Sequence, residues 1–166
     1  MKGRKDMQST VQPYALSRDE GQALWFLGVL TQVKATGEQT RGAYGLIEQV
    51  IPAGFASPWH MHHNEDETFY VIEGKIAILC GDVRIAAGPG TWAFGPRNIP
   101  HGFRVEGNAP ARLLLLTTPS GFEQFIVEMS EPATDPSIPP TTPPDMEKLM
   151  AVAAKYHIDI LGPLPE

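Results

Sequence analysis

Cysteine is nearly absent from this chain: Cys80 stands alone among 166 residues. One thiol cannot close an intramolecular bridge, so no disulfide framework holds the fold and a packed core must do so. Basic residues are also scarce, with 13 Lys and Arg against 19 Asp and Glu for a net charge of −6. That sign is wrong for nonspecific phosphate binding, and no nucleic-acid partner is expected. Long hydrophobic runs are missing too. The longest, Ala23 to Leu30, is interrupted by Gly28 and is far too short to span a bilayer, so no membrane partner is expected. The one basic cluster, Lys2, Arg4 and Lys5, leads into Asp6 and a polar stretch instead of the apolar segment of a secretory signal. These absences together predict a cytoplasmic protein.

Glycine and proline are abundant, at 16 each. Together they make 32 of 166 residues, against about 12% in average usage. With 42% hydrophobic residues the chain is not low-complexity, and a turn-dense, mainly β domain explains the excess. Residues 1–20 read as a polar arm. From 21 to 130, short apolar or alternating runs recur at nearly sandwich-like or barrel-like spacing: Ala23–Leu30, Ala43–Ile51, Thr68–Glu73, Lys75–Cys80, Val83–Ala87, Trp92–Phe94, Phe103–Val105 and Arg112–Thr118. Gly81-Asp82 is a two-residue hairpin signal. Residues 131–166 read as a proline-rich strap and a docking helix. Thr142 is the expected N-cap, Pro143 the first helical residue, and Met146, Leu149, Met150, Ala153 and Tyr156 the apolar stripe.

Three of the five histidines fall within Trp59-His60-Met61-His62-His63-Asn64-Glu65-Asp66-Glu67. On a strand, side chains alternate, so His60 and His62 share a face while Met61 and His63 point away. Two imidazoles at i and i+2 can hold one cation, and a carboxylate returning on the next strand would complete a facial set with open positions. Asn64-Glu65-Asp66 supplies the reversal, and Glu67 opens the following strand.

These residues resemble the cupin family. Gly54, five residues, His60-x-His62, four residues, Glu67, six residues and Gly74 reproduce its first motif. Gly90, five residues, Pro96 and then His101 follow the second, with Asn98 in place of the usual glycine and Val105 in place of a frequent asparagine. Asparagine tolerates the left-handed backbone of a turn, and the replaced asparagine is not a ligand. Trp25-Phe26-Leu27-Gly28, Glu67-Thr68-Phe69-Tyr70-Val71 and the ending from Lys155 to Pro163 look like single-domain, quercetin-dioxygenase-like cupins.

The resemblance implies a double-stranded β-helix (jelly-roll) barrel with a short C-terminal helix, and His60, His62, Glu67 and His101 as ligands of one divalent transition metal per chain. Mn, Fe, Co, Ni, Cu or Zn would all suit that donor set. The count to Gly74 favours Glu67 as the carboxylate, leaving Glu65 and Asp66 as solvated turn residues. His63 is a surface or supporting residue, Cys80 a core residue, and His157 a helix-end residue. A homodimer is expected by the same resemblance, built with the N-terminal strand and C-terminal helix.

Three imidazoles and a carboxylate around a divalent metal leave a Lewis-acidic centre that lowers the pKa of a bound hydroxyl. Glu67 is expected as both ligand and catalytic base. Strand alternation points Phe69 and Phe103 inward, and Trp59, Trp92 and Phe94 complete an aromatic pocket for a small-molecule substrate. The expected activity is a dioxygenase acting on a small flavonol-like or enolic molecule. A non-catalytic binding module and a metal-dependent isomerase or lyase of a sugar or keto acid use the same ligands.

Overall fold

The computed structural model describes residues 11–166. The basic cluster of Lys2, Arg4 and Lys5 lies outside the described residues. Two antiparallel sheets make the domain. One runs in the order β11 (Glu131–Pro132), β1 (Gln22–Phe26), β2 (Val29–Ala35), β3 (Gly45–Ile51), β10 (Ala111–Thr118), β5 (Asp66–Glu73) and β8 (Trp92–Gly95). The other runs β12 (Ile158–Gly162), β4 (Trp59–His62), β9 (His101–Val105), β6 (Ile76–Cys80) and β7 (Val83–Ala87). Alternation sets the inner faces. Leu113 and Leu115 of β10 are buried, with Leu114 and Leu116 only partly so. Across the core, Phe69 and Val71 of β5 meet Phe103 and Val105 of β9, all buried as the alternation predicts. This is the expected mainly β, jelly-roll architecture.

Turn chemistry explains the joints. Gly81-Asp82 closes a hairpin in which Cys80 pairs with Val83. Gly74 has φ +78, and a Cβ there would lie 2.6 Å from the Pro110 carbonyl oxygen, so glycine is required on both counts. Ala23–Leu30 is two strands rather than one, because Leu27 and Gly28 both take positive φ and reverse the chain. Asn98 has φ 62, the left-handed conformation expected of it.

Two helices have no counterpart in the sequence reading: α1 (Gly37–Thr40) and α2 (Phe122–Met129). Phe122, Phe125, Ile126 and Met129 recur at helical spacing and bury one face of α2. Its buried Glu123 accepts hydrogen bonds from the Gly121 and Gly37 amides, each at 2.8 Å, satisfying donors at the starts of both helices.

The third helix, α3 (Met146–Lys155), starts later than expected. Asp145 is its N-cap, accepting from Lys148 N at 2.9 Å. Pro144 biases Pro143 away from the helical region, so the helix cannot begin there. The buried face is Leu149, Val152 and Ala153, whereas Met146 and Met150 are exposed. Tyr156 packs edge-on against Phe125. His157 (φ 55) ends the helix, and β12 then pairs with β4. The tail thus adds a strand beside the histidines. Among the described residues, no helix is long and apolar enough to cross a membrane.

Candidate metal centre

His60 and His62 come from β4, His101 from β9 and Glu67 from β5, so both sheets contribute. His60 and His101 are direct cross-strand partners. One ligand-type atom from each of the four residues lies within 4.8 Å of the other three. Glu67 Oε2 is 2.8 Å from His101 Nε2 and 4.0 Å from Nε2 of both His60 and His62. Ligands each about 2.0–2.2 Å from one metal lie roughly 2.8 Å apart at a right angle and up to about 4.4 Å when opposite, so these separations suit a common ion.

The far side of each imidazole is already committed. His60 Nδ1 faces Pro58 O at 2.8 Å, and His101 Nδ1 faces Ile99 O at 2.9 Å. His62 Nδ1 faces Glu65 Oε2 at 3.3 Å. Carbonyl and carboxylate oxygens only accept, so each Nδ1 carries a proton; Nε2 of His60 and of His62 offers a lone pair, whereas Nε2 of His101 donates to Glu67 Oε2 at 2.8 Å. His62 Nε2 is buried with no hydrogen-bond partner among the described residues. A metal bond gives that orphaned nitrogen a partner, so the cluster fits a divalent cation.

Electrostatics point the same way. Burial, then the charges of His101 and His62, push His60 down to about 3, leaving its ring neutral and able to ligate. Burial works to raise Glu67, but the His101 hydrogen bond and the surrounding imidazoles overcome it and hold the carboxyl at about 2. Burial works to lower His101, yet its hydrogen bond to Glu67 keeps it above the ordinary value. A proton shared between His101 and Glu67 therefore has to leave before a metal is bound.

An apolar cavity of about 60 Å³ opens beside His60 and Glu67. Phe103 lines it together with Phe55. Phe69 sits behind, edge-on to both His101 and Phe103. Trp59 is half-buried but does not line the cavity. Trp92 and Phe94 require correction. They are 62% and 47% exposed and stack on each other, because the alternation of β8 turns Ala93 and Gly95 inward instead. A larger, open cleft of about 750 Å³ runs along the outside of the seven-stranded sheet, and none of the four cluster residues lines it.

Other residues come as additions. Phe122 and Phe125 of α2, Leu149 of α3, Ile158 and Ile160 of β12, and Phe26 and Leu27 of the β1–β2 corner form the cavity's cover. The helical spacing of Phe122 to Met129 is the signal that could have found α2. Glu65, expected in solvent, is 3% exposed and supports His62. Gly121 leaves room for it, since a Cβ there would sit 2.6 Å from Glu65 Oε1. Asp66 is half-buried and pairs with Arg97 at 3.0 Å. His63 is exposed, between Asn98 and Asp159, and Cys80 is half-buried and free.

Comparison with known proteins matches residues 47–117 to the family model of the cupin domain. Quercetin 2,3-dioxygenase of Bacillus subtilis is 27% identical over 120 residues, which are 72% of this chain and 35% of that enzyme. The chain thus matches about a third of that relative's length. Among solved structures, an RmlC-like cupin from Shewanella frigidimarina superposes with a TM-score of 0.57 at 17% identity, covering 69% of this chain and 98% of that one. The polyketide cyclase RemF from Streptomyces resistomycificus gives 0.56 at 21% identity, covering 66% and 81%. Both structural likenesses concern the fold.

Proposed function

We propose that this chain, whose residues 47–117 match the cupin domain model, is a metal-dependent dioxygenase acting on a small flavonol-like or enolic substrate. One observation carries this reading: three imidazoles and one carboxylate cluster at an apolar, aromatic cavity that His60 and Glu67 line. No Lys or Arg lines that cavity among the described residues, which disfavours a sugar phosphate as occupant. The likeness to a quercetin 2,3-dioxygenase supports the same choice.

His60, His62, Glu67 and His101 would hold the ion. When bound, a divalent transition metal supplies Lewis acidity toward a substrate hydroxyl and access to oxygen chemistry. The protein does the rest. Pro58, Glu65 and Ile99 fix the three rings through Nδ1, so no ring has to reorient during reaction. Glu67 is the only carboxylate lining the cavity among the described residues, and we assign it the hydroxyl proton as well as a ligand position. Phe55, Phe103, Phe122 and Phe125 exclude water from the reacting face. The enclosed volume is well below the ~300 Å³ or more typical of ligand sites, so a ring-bearing substrate enters by displacing the cover of α2 and α3.

Oxygen uptake by metal-loaded protein, offered a flavonol, a keto-enol and a sugar in turn, tests the proposal. Uptake with either of the first two supports it. Turnover without oxygen, or tight binding without turnover, contradicts it.

A further inference from the structure

Gln49 has hydrogen-bonding capacity that neither the fold nor the metal cluster uses. It lies on β3, is 5% exposed, and lines the same cavity as His60 and Glu67. Its Nε2 donates to Thr31 Oγ1 at 3.1 Å, and Thr31 Oγ1 donates to Val29 O at 3.3 Å. A hydroxyl has one proton to give, so Thr31 accepts from Gln49 and thereby orients the amide. The carbonyl oxygen Oε1 makes no hydrogen bond among the described residues and is not one of their fully buried unpartnered atoms, so it keeps some exposure. The other polar lining groups are committed. Ser57 Oγ accepts from Phe103 N and donates to Pro58 O, while His60 and Glu67 belong to the cluster. An amide oxygen that keeps some exposure on a residue lining an apolar cavity is free to accept from a donor placed in that cavity.

Register places Gln49 far from the metal end. Glu67 lies opposite Thr117 of β10, and Thr117 lies opposite Gly45 of β3. Gln49 is therefore two strands across and four residues along from Glu67. Strand spacing and rise make that about 10 Å by about 14 Å on a flat sheet, which barrel curvature shortens and both side chains partly bridge.

We propose that Gln49 recognises the end of the substrate remote from the metal. The substrate is then flat, elongated and mostly apolar, with a metal-binding oxygen at one end and a hydroxyl at the other that donates to Gln49 Oε1. This rests on the dioxygenase reading of the same site and specifies its substrate class.

The test uses full-length protein loaded with redox-inert Zn(II) and three probes: 3-hydroxyflavone, its 4′-hydroxy derivative and its 4′-methoxy derivative. Kd for each is read from tryptophan fluorescence. The expected result is about tenfold tighter binding of the 4′-hydroxy compound than of the other two, as one hydrogen bond allows. The methoxy probe tests the donor in the unmodified protein, independently of any variant's folding. In Gln49→Met the preference for the 4′-hydroxy compound should vanish. No preference in the native protein, or a preference kept by Gln49→Met, overturns this inference. If these occur while oxygen uptake with a flavonol or a keto-enol persists, the dioxygenase reading stands; if no flavone binds, this inference falls, and the dioxygenase reading falls with it only if neither substrate supports oxygen uptake.

Discussion

His60 and His101 lean on backbone carbonyls, but His62 leans on a carboxylate, and the difference has chemical weight. A carboxylate behind an imidazole makes the ring a better donor and fixes its orientation, and such partners are typically worth 10–100-fold in metal affinity. Glu65 is therefore expected to matter although it touches no substrate. Glu65→Ala should weaken Zn(II) binding by about 10–100-fold, and Glu65→Gln, which keeps an accepting oxygen without the charge, should fall between it and the parent. Competition against a chromogenic chelator measures this, and equal affinity in all three proteins would remove Glu65 from the site. The local pattern Asn64-Glu65-Asp66 spells a polar turn, and for Asp66 a half-buried ion pair with Arg97 is not far from that. The burial of Glu65 depends on Gly121, remote in sequence, which no local pattern contains. His60, His62 and Glu67 were legible for the opposite reason, since their spacing is a strand period plus a fixed turn and both survive folding unchanged; His101 was reached only through the resemblance to the second cupin motif.

At the scale of elements, the C-terminal strand is tied to the cluster's own strand by His63. Its Nε2 faces Asp159 Oδ2 on β12 at 2.8 Å and its Nδ1 faces Asn98 Oδ1 at 3.1 Å. Both partners accept, so the protonated ring is favoured and its pKa lies above the ordinary 6.5, chiefly through the Asp159 hydrogen bond. The ring's contribution to stability is full below about 6.5 and is lost as pH rises through the raised value. The Tm gap between the parent and Asp159→Asn should accordingly shrink as pH rises across that window; a pH-independent gap would exclude the linkage. The same region shows where element reading succeeded and failed. The Gly81-Asp82 hairpin was legible because two residues dictate it. The start of α3 was misplaced because Pro143 and Pro144 offer a helix-compatible φ while Pro144 forbids the helical region to Pro143. β12 and the cavity cover were not legible, since they join segments from Phe26 to Ile160 that only the closed barrel brings together. Strand alternation also holds on β8, but there it buries Ala93 and turns the aromatic pair outward.

Across the whole molecule the cluster joins the two sheets, with three ligands on the five-stranded sheet and Glu67 on the seven-stranded one. A metal bound there would clamp the sandwich. At a free metal concentration a hundredfold above Kd, binding adds about 2.7 kcal/mol, which for a domain of this size raises Tm by roughly 5–11 °C. Differential scanning calorimetry with and without a chelator reads that shift, and coincident transitions would mean that the cluster does not bind metal. The proposed function places metal-dependent oxygen chemistry on this cluster. It is tested most directly by the oxygen-uptake rate of one preparation on a flavonol, followed as purified, after chelation and after reloading, alongside its metal content. The account predicts about one divalent metal per chain, uptake lost on stripping and restored on reloading, and no restoration in Glu67→Ala. Stripped protein that consumed oxygen at the untreated rate would contradict it.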